Sequence, residues 1–312
     1  MAADSTPKKA VRDLLYGALL ATLSAGESIM EVYASGFDVQ YKTDQSPLTE
    51  ADERSHEILS SRLDGGIPIL SEEGMSIPFE ERNSWDLYWL IDPLDGTKEF
   101  IKGNGEFTVN VALMEFGRPL AGIVFLPAKD RLYWCSPGDG AFRAMGEAIG
   151  EIKHATAGDV QPQIASVLHY STPIRSENRR HPSDSMKVVQ SVSHVSAEEA
   201  AFIQSLRPAI GDFDTAAAGS SLKFCLVAEG SADVYPRFGP TMEWDTAAGH
   251  CIAEAAGCDV LDIASGSRCE YNKRELRNSP FVVLGPRLSR GSFWRDAVLS
   301  CAKSCLTKTQ KA

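Results

Sequence analysis

Trp85-Asp86-Leu87-Tyr88-Trp89-Leu90-Ile91 runs without interruption into Asp92-Pro93-Leu94-Asp95-Gly96-Thr97. The first seven residues are aromatic and aliphatic enough for a buried strand. Asp92 and Asp95 fall at its end, three residues apart across a turn containing Pro93. Upstream, Ile67 to Leu70 reads as a shorter strand closed by Ser71-Glu72-Glu73-Gly74. Surface carboxylates ordinarily sit on exposed helix faces, whereas Glu72, Asp92 and Asp95 each leave an apolar strand, where side chains of different elements converge. Such donors suit a hard divalent ion such as Mg²⁺, held by a few carboxylates with waters and phosphate oxygens. The Leu94 carbonyl is a further oxygen, and the Gly96 and Thr97 amides open the next segment as an anion cradle.

Working outward, Pro7 to Tyr33 carries apolar residues at a helical period and predicts a long amphipathic helix before Gly36. A second helix begins at Thr49, with Thr49 and Asp52 placed as a capping box. Phe107 to Phe116, Leu120 to Leu126 and Leu132 to Cys135, separated by turn residues, predict an antiparallel meander. From Glu151 to Asp184 apolar density drops, so the chain is divided near 150: residues 1–150 form an α+β domain and residues 151–312 an α/β domain. The second domain reads as strand Met186–Val192, helix Ser196–Leu206, helix Ser221–Glu229, strand Asp233–Phe238, helix Thr246–Ala256 and strand Phe281–Leu284, with a terminal helix after Phe293.

The 312 residues are 43% hydrophobic and 23% charged, which places the chain among globular proteins. A formal net charge of −11 argues against nucleic-acid polymers and anionic lipid, both of which need a basic face. An anionic substrate would need cations to mediate its approach. Seven cysteines without CxxC spacing read as reduced thiols, Cys301 and Cys305 sharing one helix. With no apolar leader at Met1 to Arg12 and no membrane-length apolar run, the expected location is the cytoplasm. A buried helix face and a subunit interface carry the same apolar pattern, so the sequence leaves oligomeric state open.

Taken singly, these residues also fit ordinary roles. Asp-x-x-Asp is common turn chemistry, Asp52 fits a capping-box partner, Asp245 fits the N-cap of the Thr246 helix, and His194 and His250 fit packed or exposed histidines. Longer strings point further. Trp89-Leu90-Ile91-Asp92-Pro93-Leu94-Asp95-Gly96-Thr97-Lys98-Glu99-Phe100, the earlier Ser71-Glu72-Glu73 and the later Glu243-Trp244-Asp245-Thr246-Ala247-Ala248-Gly249-His250 resemble the inositol monophosphatase superfamily of Mg²⁺-dependent, lithium-sensitive phosphatases. Lys98-Glu99-Phe100, Gly105-Glu106-Phe107-Thr108-Val109-Asn110, Gly219 to Gly230 and Tyr235 to Pro240 are similar to its CysQ-type branch, the 3′(2′),5′-bisphosphate nucleotidases.

The resemblance implies a layered α-β-α-β-α fold with two subdomains. It implies that Glu72, Asp92 and the Leu94 carbonyl bind one Mg²⁺, that Asp92, Asp95 and Asp245 bind a second, and that Asp52 holds a third ion or its waters. Thr97 matches the hydroxyl that orients the attacking water, so Asp52, Glu72 and Thr97 are the expected catalytic residues. Glu72, Leu94, Asp95, Gly96, Thr97, Gly219, Ser220, Ser221, Lys223 and Asp245 are the expected substrate contacts. The implied partner is a small nucleotide bisphosphate, with hydrolysis of adenosine 3′,5′-bisphosphate to AMP and phosphate clearing a by-product of sulfate activation. Two cations about 3.5–4 Å apart suit this chemistry, because they activate water and neutralise the leaving oxygen.

One string departs from the pattern: Ser191-Val192-Ser193-His194 stands where the branch usually reads Ser-Arg-Ser-His, which removes a bidentate phosphate donor. An apparent insertion just upstream carries Arg175, Arg179 and Arg180, read as a solvated loop. Competing readings are an inositol or sugar phosphatase of the same superfamily, and a non-catalytic nucleotide-binding regulator. Lys98-Glu99-Phe100 and the Gly219 to Gly230 string count against the first. The complete set of carboxylates, together with Thr97, counts against the second.

Overall fold

The computed structural model describes residues 6–42, 47–63, 66–154, 164–175, 185–192, 196–288 and 293–309. The chain opens with α1 (Thr6–Ser35), a ribbon of β1 (Val39–Tyr41) and β2 (Pro47–Thr49), and α2 (Glu50–Arg62). There follow β3 (Ile69–Ser71), α3 (Phe79–Arg82), β4 (Leu87–Asp95), α4 (Thr97–Ile101), β5 (Thr108–Glu115), β6 (Arg118–Leu126), β7 (Arg131–Ser136) and β8 (Gly140–Met145). Helices α5 (Glu147–His154) and α6 (Ile164–His169) lead to β9 (Thr172–Ile174). The rest comprises β10 (Met186–Ser191), α7 (Ala197–Ile210), β11 (Phe213–Ala218), α8 (Leu222–Ala228), β12 (Val234–Arg237), α9 (Glu243–Ala255), β13 (Asp259–Asp262), β14 (Phe281–Leu284) and α10 (Phe293–Thr309).

Strands β3 to β9 lie side by side in sequence order, and only β3 and β4 run parallel. The second sheet has the order β11-β10-β12-β14-β13. Side chains of β4 alternate between two apolar layers, so the strand reads as one continuous apolar run. Trp89 and Ile91 pack with Leu15, Leu19 and Leu59 of α1 and α2. Tyr88 and Leu90 face the other way, toward Phe224 of α8, Ile252 of α9 and Phe281 of the second sheet. Outside that sheet, Val188 and Val282 meet Phe202 and Leu206 of α7 and Val298 of α10. The order is therefore helix, sheet, helix, sheet, helix, as expected from the resemblance. Close approach of the middle layer depends on glycine: a Cβ at Gly122 would stand 2.7 Å from the Ala248 carbonyl oxygen.

The expected α2 capping box is present, with the Thr49 hydroxyl accepting from the Ala51 amide and the Thr49 amide donating to Asp52. Three expectations need correction. Strand β4 continues through Asp92 and Asp95, so both acids lie within the strand; its pairing with β5 shifts register between them. Helix α9 begins at Glu243, which places Asp245 in the first turn, its carboxylate accepting from the Met242 amide at 2.8 Å. Strands β1, β2, β8, β9, β11 and β13 were not expected. The alanine-rich Phe213–Ala218 has little intrinsic strand preference and is extended by parallel pairing with β10. Among the described residues no helix is long and apolar enough to cross a membrane. Arg179, Arg180, Ser193 and His194 lie outside the described residues, while Arg175 is exposed.

Candidate metal and phosphate site

The register shift in β4 decides how its two acids are presented. A bulge breaks strict alternation and re-aims side chains, and both Asp92 and Asp95 face one cleft at the strand end. Asp92 Oδ1 accepts the Leu94 amide at 3.1 Å, whereas Asp92 Oδ2 is buried with no hydrogen-bond partner. Asp95 Oδ2 accepts the Ser221 amide at 2.8 Å and, at 3.3 Å each, the Thr108 hydroxyl and Asn110 side-chain amide.

Glu72 arrives from the end of β3 and Asp245 from the first turn of α9. Carboxylate oxygens of Glu72, Asp92 and Asp245 all lie within 4.8 Å of one another. Burial pushes the Asp92 carboxyl well above the usual carboxylate range, and Glu72, Asp95 and Asp245 push it further. Asp245 is raised in the same way by burial and then by Asp95 and Glu72. Like charges held this close, one oxygen left without a donor, describe a place suited to a cation. The donors are all oxygens, which fits Mg²⁺ better than a softer metal.

Around this cluster, the Thr97 hydroxyl donates to Asp52 Oδ1 at 3.2 Å, and the Leu94 carbonyl lies 3.5 Å from the same hydroxyl. Asp52 itself is buried behind Thr97. A cleft of about 420 Å³ is lined by Glu72, Asp92, Leu94, Asp95, Gly96 and Thr97 on one side and by Gly219, Ser220, Ser221, Lys223 and Asp245 on the other. Every expected site residue except Asp52 lines it. Arg237 and Ser191 also face it. Val192, at the departure from the family string, is 46% exposed.

The Gly219 to Lys223 turn differs in detail from expectation. Residues expected to contact substrate spend their amides inside the protein: the Gly219 amide donates to Glu106 Oε2 and the Ser221 amide to Asp95 Oδ2, both at 2.8 Å. Lys223 is buried and donates to the carbonyls of Ala218 and Ser220 at 3.2 and 2.6 Å. Burial lowers its ammonium to about 8, against the opposing pull of Asp95. His250 is packed in the core beside Tyr271 at 2.9 Å.

Three neighbours of the cluster escaped the sequence reading. Lys42 bonds Glu72 at 3.0 Å and also Glu73; although burial opposes its charge, the two acids push it up to about 12. Glu106 holds Gly219, and Asn110 holds Ser221 at 3.0 Å. A signal for Asn110 existed: Thr108 and Asn110 are polar residues at alternate positions of an otherwise apolar buried strand. Lys42 had none, since a lone lysine before a turn is ordinary.

Five layers with an acidic cluster at a strand end define a sugar-phosphatase-like α/β fold carrying a candidate metal centre. The model of the inositol monophosphatase family matches residues 11–290, and the chain belongs to that family. It is 43% identical over 262 residues to the 3′(2′),5′-bisphosphate nucleotidase CysQ of Escherichia coli O157:H7, covering 82% of this chain and 93% of that protein. The crystal structure of CysQ from Bacteroides thetaiotaomicron superposes with a TM-score of 0.75 at 41% identity, covering 86% of this chain and 96% of the other. An IMPase of Thermotoga maritima shares the fold at 21% identity, with a TM-score of 0.67 over 93% of this chain and 96% of its own.

Proposed function

We propose that this chain is a Mg²⁺-dependent 3′(2′),5′-bisphosphate nucleotidase that hydrolyses the 3′-phosphate of adenosine 3′,5′-bisphosphate to AMP and phosphate. The observation that carries the chemistry is the buried, partnerless Asp92 Oδ2 inside the Glu72, Asp92, Asp245 cluster. The substrate class is supported by the names of relatives at 41–43% identity. Glu72, Asp92 and the Leu94 carbonyl would hold one ion, and Asp92, Asp95 and Asp245 a second. Bound there, the ions would supply an activated water and neutralise charge on the leaving oxygen.

The chain's own groups then have distinct tasks. With its proton committed to Asp52, the Thr97 hydroxyl offers lone pairs that can accept from a water and fix its direction. Lys223 and Arg237 give the far wall positive charge for the bisphosphate. In this reading residues 1–150 carry most of the metal ligands, and residues 151–312 supply Asp245 and the nucleotide contacts. Seven unpaired cysteines support a reducing, cytoplasmic setting.

The test is phosphate release from adenosine 3′,5′-bisphosphate and from myo-inositol 1-phosphate at equal Mg²⁺. A preference of about tenfold or more in kcat/KM for the nucleotide is expected. A reversed preference would overturn the substrate assignment, and release that is independent of divalent ions would overturn the metal assignment.

A further inference from the structure

Ser221 is 2% exposed and stands between two acids that come from different halves of the chain. Its amide donates to Asp95 Oδ2 at 2.8 Å, and its hydroxyl donates to the backbone carbonyl of Asp245 at 2.6 Å. The same hydroxyl oxygen accepts Asn110 Nδ2 at 3.0 Å, and that side-chain amide also reaches Asp95 Oδ2 at 3.3 Å. Next to it, the Ser220 hydroxyl bonds the Asp95 carbonyl at 2.8 Å, so the turn grips Asp95 through side chain and backbone alike. The amide, the hydroxyl proton and one hydroxyl lone pair of Ser221 are all committed to the protein.

We infer that Ser221 is a positioning residue that sets the separation of Asp95 and Asp245, and that its hydroxyl acts on metal affinity rather than on nucleotide recognition. The inference rests on the two-ion reading above. Asp95 and Asp245 belong to different elements that face one cleft, and Ser221 is hydrogen-bonded to both. The Ser221 amide pins the first acid on β4. Its hydroxyl pins the first turn of α9, which carries the second. Losing the hydroxyl frees that helical turn, and Asp245 with it, to move away from β4, although no carboxylate is deleted.

Outer groups that orient metal ligands typically change affinity by about 10–100-fold when removed. For Ser221→Ala, calorimetric titration of the metal-free full chain with Mg²⁺ alone should show a dissociation constant raised by about tenfold or more. The melting temperature of the metal-free protein should fall, because the Asp245 carbonyl and the Asn110 amide lose a buried partner, while KM for the nucleotide at saturating Mg²⁺ should stay within about twofold. Wild-type Mg²⁺ affinity in the variant overturns the inference, as does a raised nucleotide KM with unchanged Mg²⁺ affinity, which would make Ser221 a substrate contact. Should Ser221→Ala fail to fold, Ser221→Cys, which keeps a side chain of similar size but not the short hydrogen bond to the Asp245 carbonyl, decides by the same criteria. Wild-type protein that binds no Mg²⁺ overturns the two-ion reading itself, an outcome separate from the others.

Discussion

Asp52 serves two elements at once: Oδ2 accepts the amide and hydroxyl of Thr49 at 2.8 and 2.6 Å, and Oδ1 accepts the Thr97 hydroxyl at 3.2 Å. The acid that caps α2 therefore also fixes the rotamer of the threonine at the start of α4. If that hydroxyl directs the attacking water, Thr97→Val should lower kcat by about 10²-fold with little change in KM. Asp52→Asn should give a similar loss. Because the two groups act as a unit, the double variant should be no worse than the poorer single one. Steady-state kinetics on the three variants would show this, and multiplicative losses would separate the residues.

The crowded carboxylates make an opposite pair of predictions for activity and stability. Asp92→Asn should reduce Mg²⁺-dependent phosphate release by on the order of 10³-fold or more. The same change relieves repulsion in the metal-free protein, whose melting temperature should rise by about 2–4 °C for each kcal/mol recovered. The pH dependence follows from the raised carboxyls of Glu72, Asp92 and Asp245. They bind protons in the fold that they have lost in the unfolded chain, so metal-free stability should fall as pH rises from about 4 through the raised folded values. Calorimetric melting in chelator would register both effects, and Mg²⁺ should stabilise the wild type and not the variant.

Lys223 titrates in a useful range, its ammonium lowered by burial to about 8. Below that pH the cation is present to meet an anionic substrate, and above it the wall becomes neutral. KM for the bisphosphate should therefore rise as pH increases through about 8. Lys223→Met should raise KM at neutral pH by about tenfold or more, since a positive charge lining the cleft is lost, and should flatten the profile. A wild-type profile retained in the variant would assign the titration to another group.

Gly219 is constrained by Glu106. An added Cβ would meet the Glu106 carbonyl oxygen at 2.6 Å and the Glu106 Cβ at 2.8 Å, neither of which can rotate aside. Gly219→Ala should cost about 1–3 kcal/mol of stability through overpacking. It should also weaken Mg²⁺ activation, because the displaced turn carries Ser220 and Ser221 with it. Chemical denaturation and an Mg²⁺ activation curve would measure the two effects.

Much of this was legible because the decisive chemistry is local. The run Trp85 to Thr97 announces a buried strand ending in acids, and Thr49 with Asp52 announces a helix start; both depend on near neighbours in the chain. What stayed hidden depends on contacts between distant segments. The alanine-rich β11 becomes a strand only beside β10, and the Ser221 amide looks free for phosphate until β4 places Asp95 against it. The bulge between Asp92 and Asp95 likewise arises from pairing with β5, and no property of Pro93-Leu94 alone demands it.

The parts of the acidic cluster are made at different times. Glu72 and Asp92 leave the ribosome early, whereas Asp245 follows only after β10, β11, β12 and both intervening helices. A chain halted before Glu243 would lack both Asp245 of the cluster and the helix whose Ala248, Cys251 and Ile252 cover one face of the first sheet.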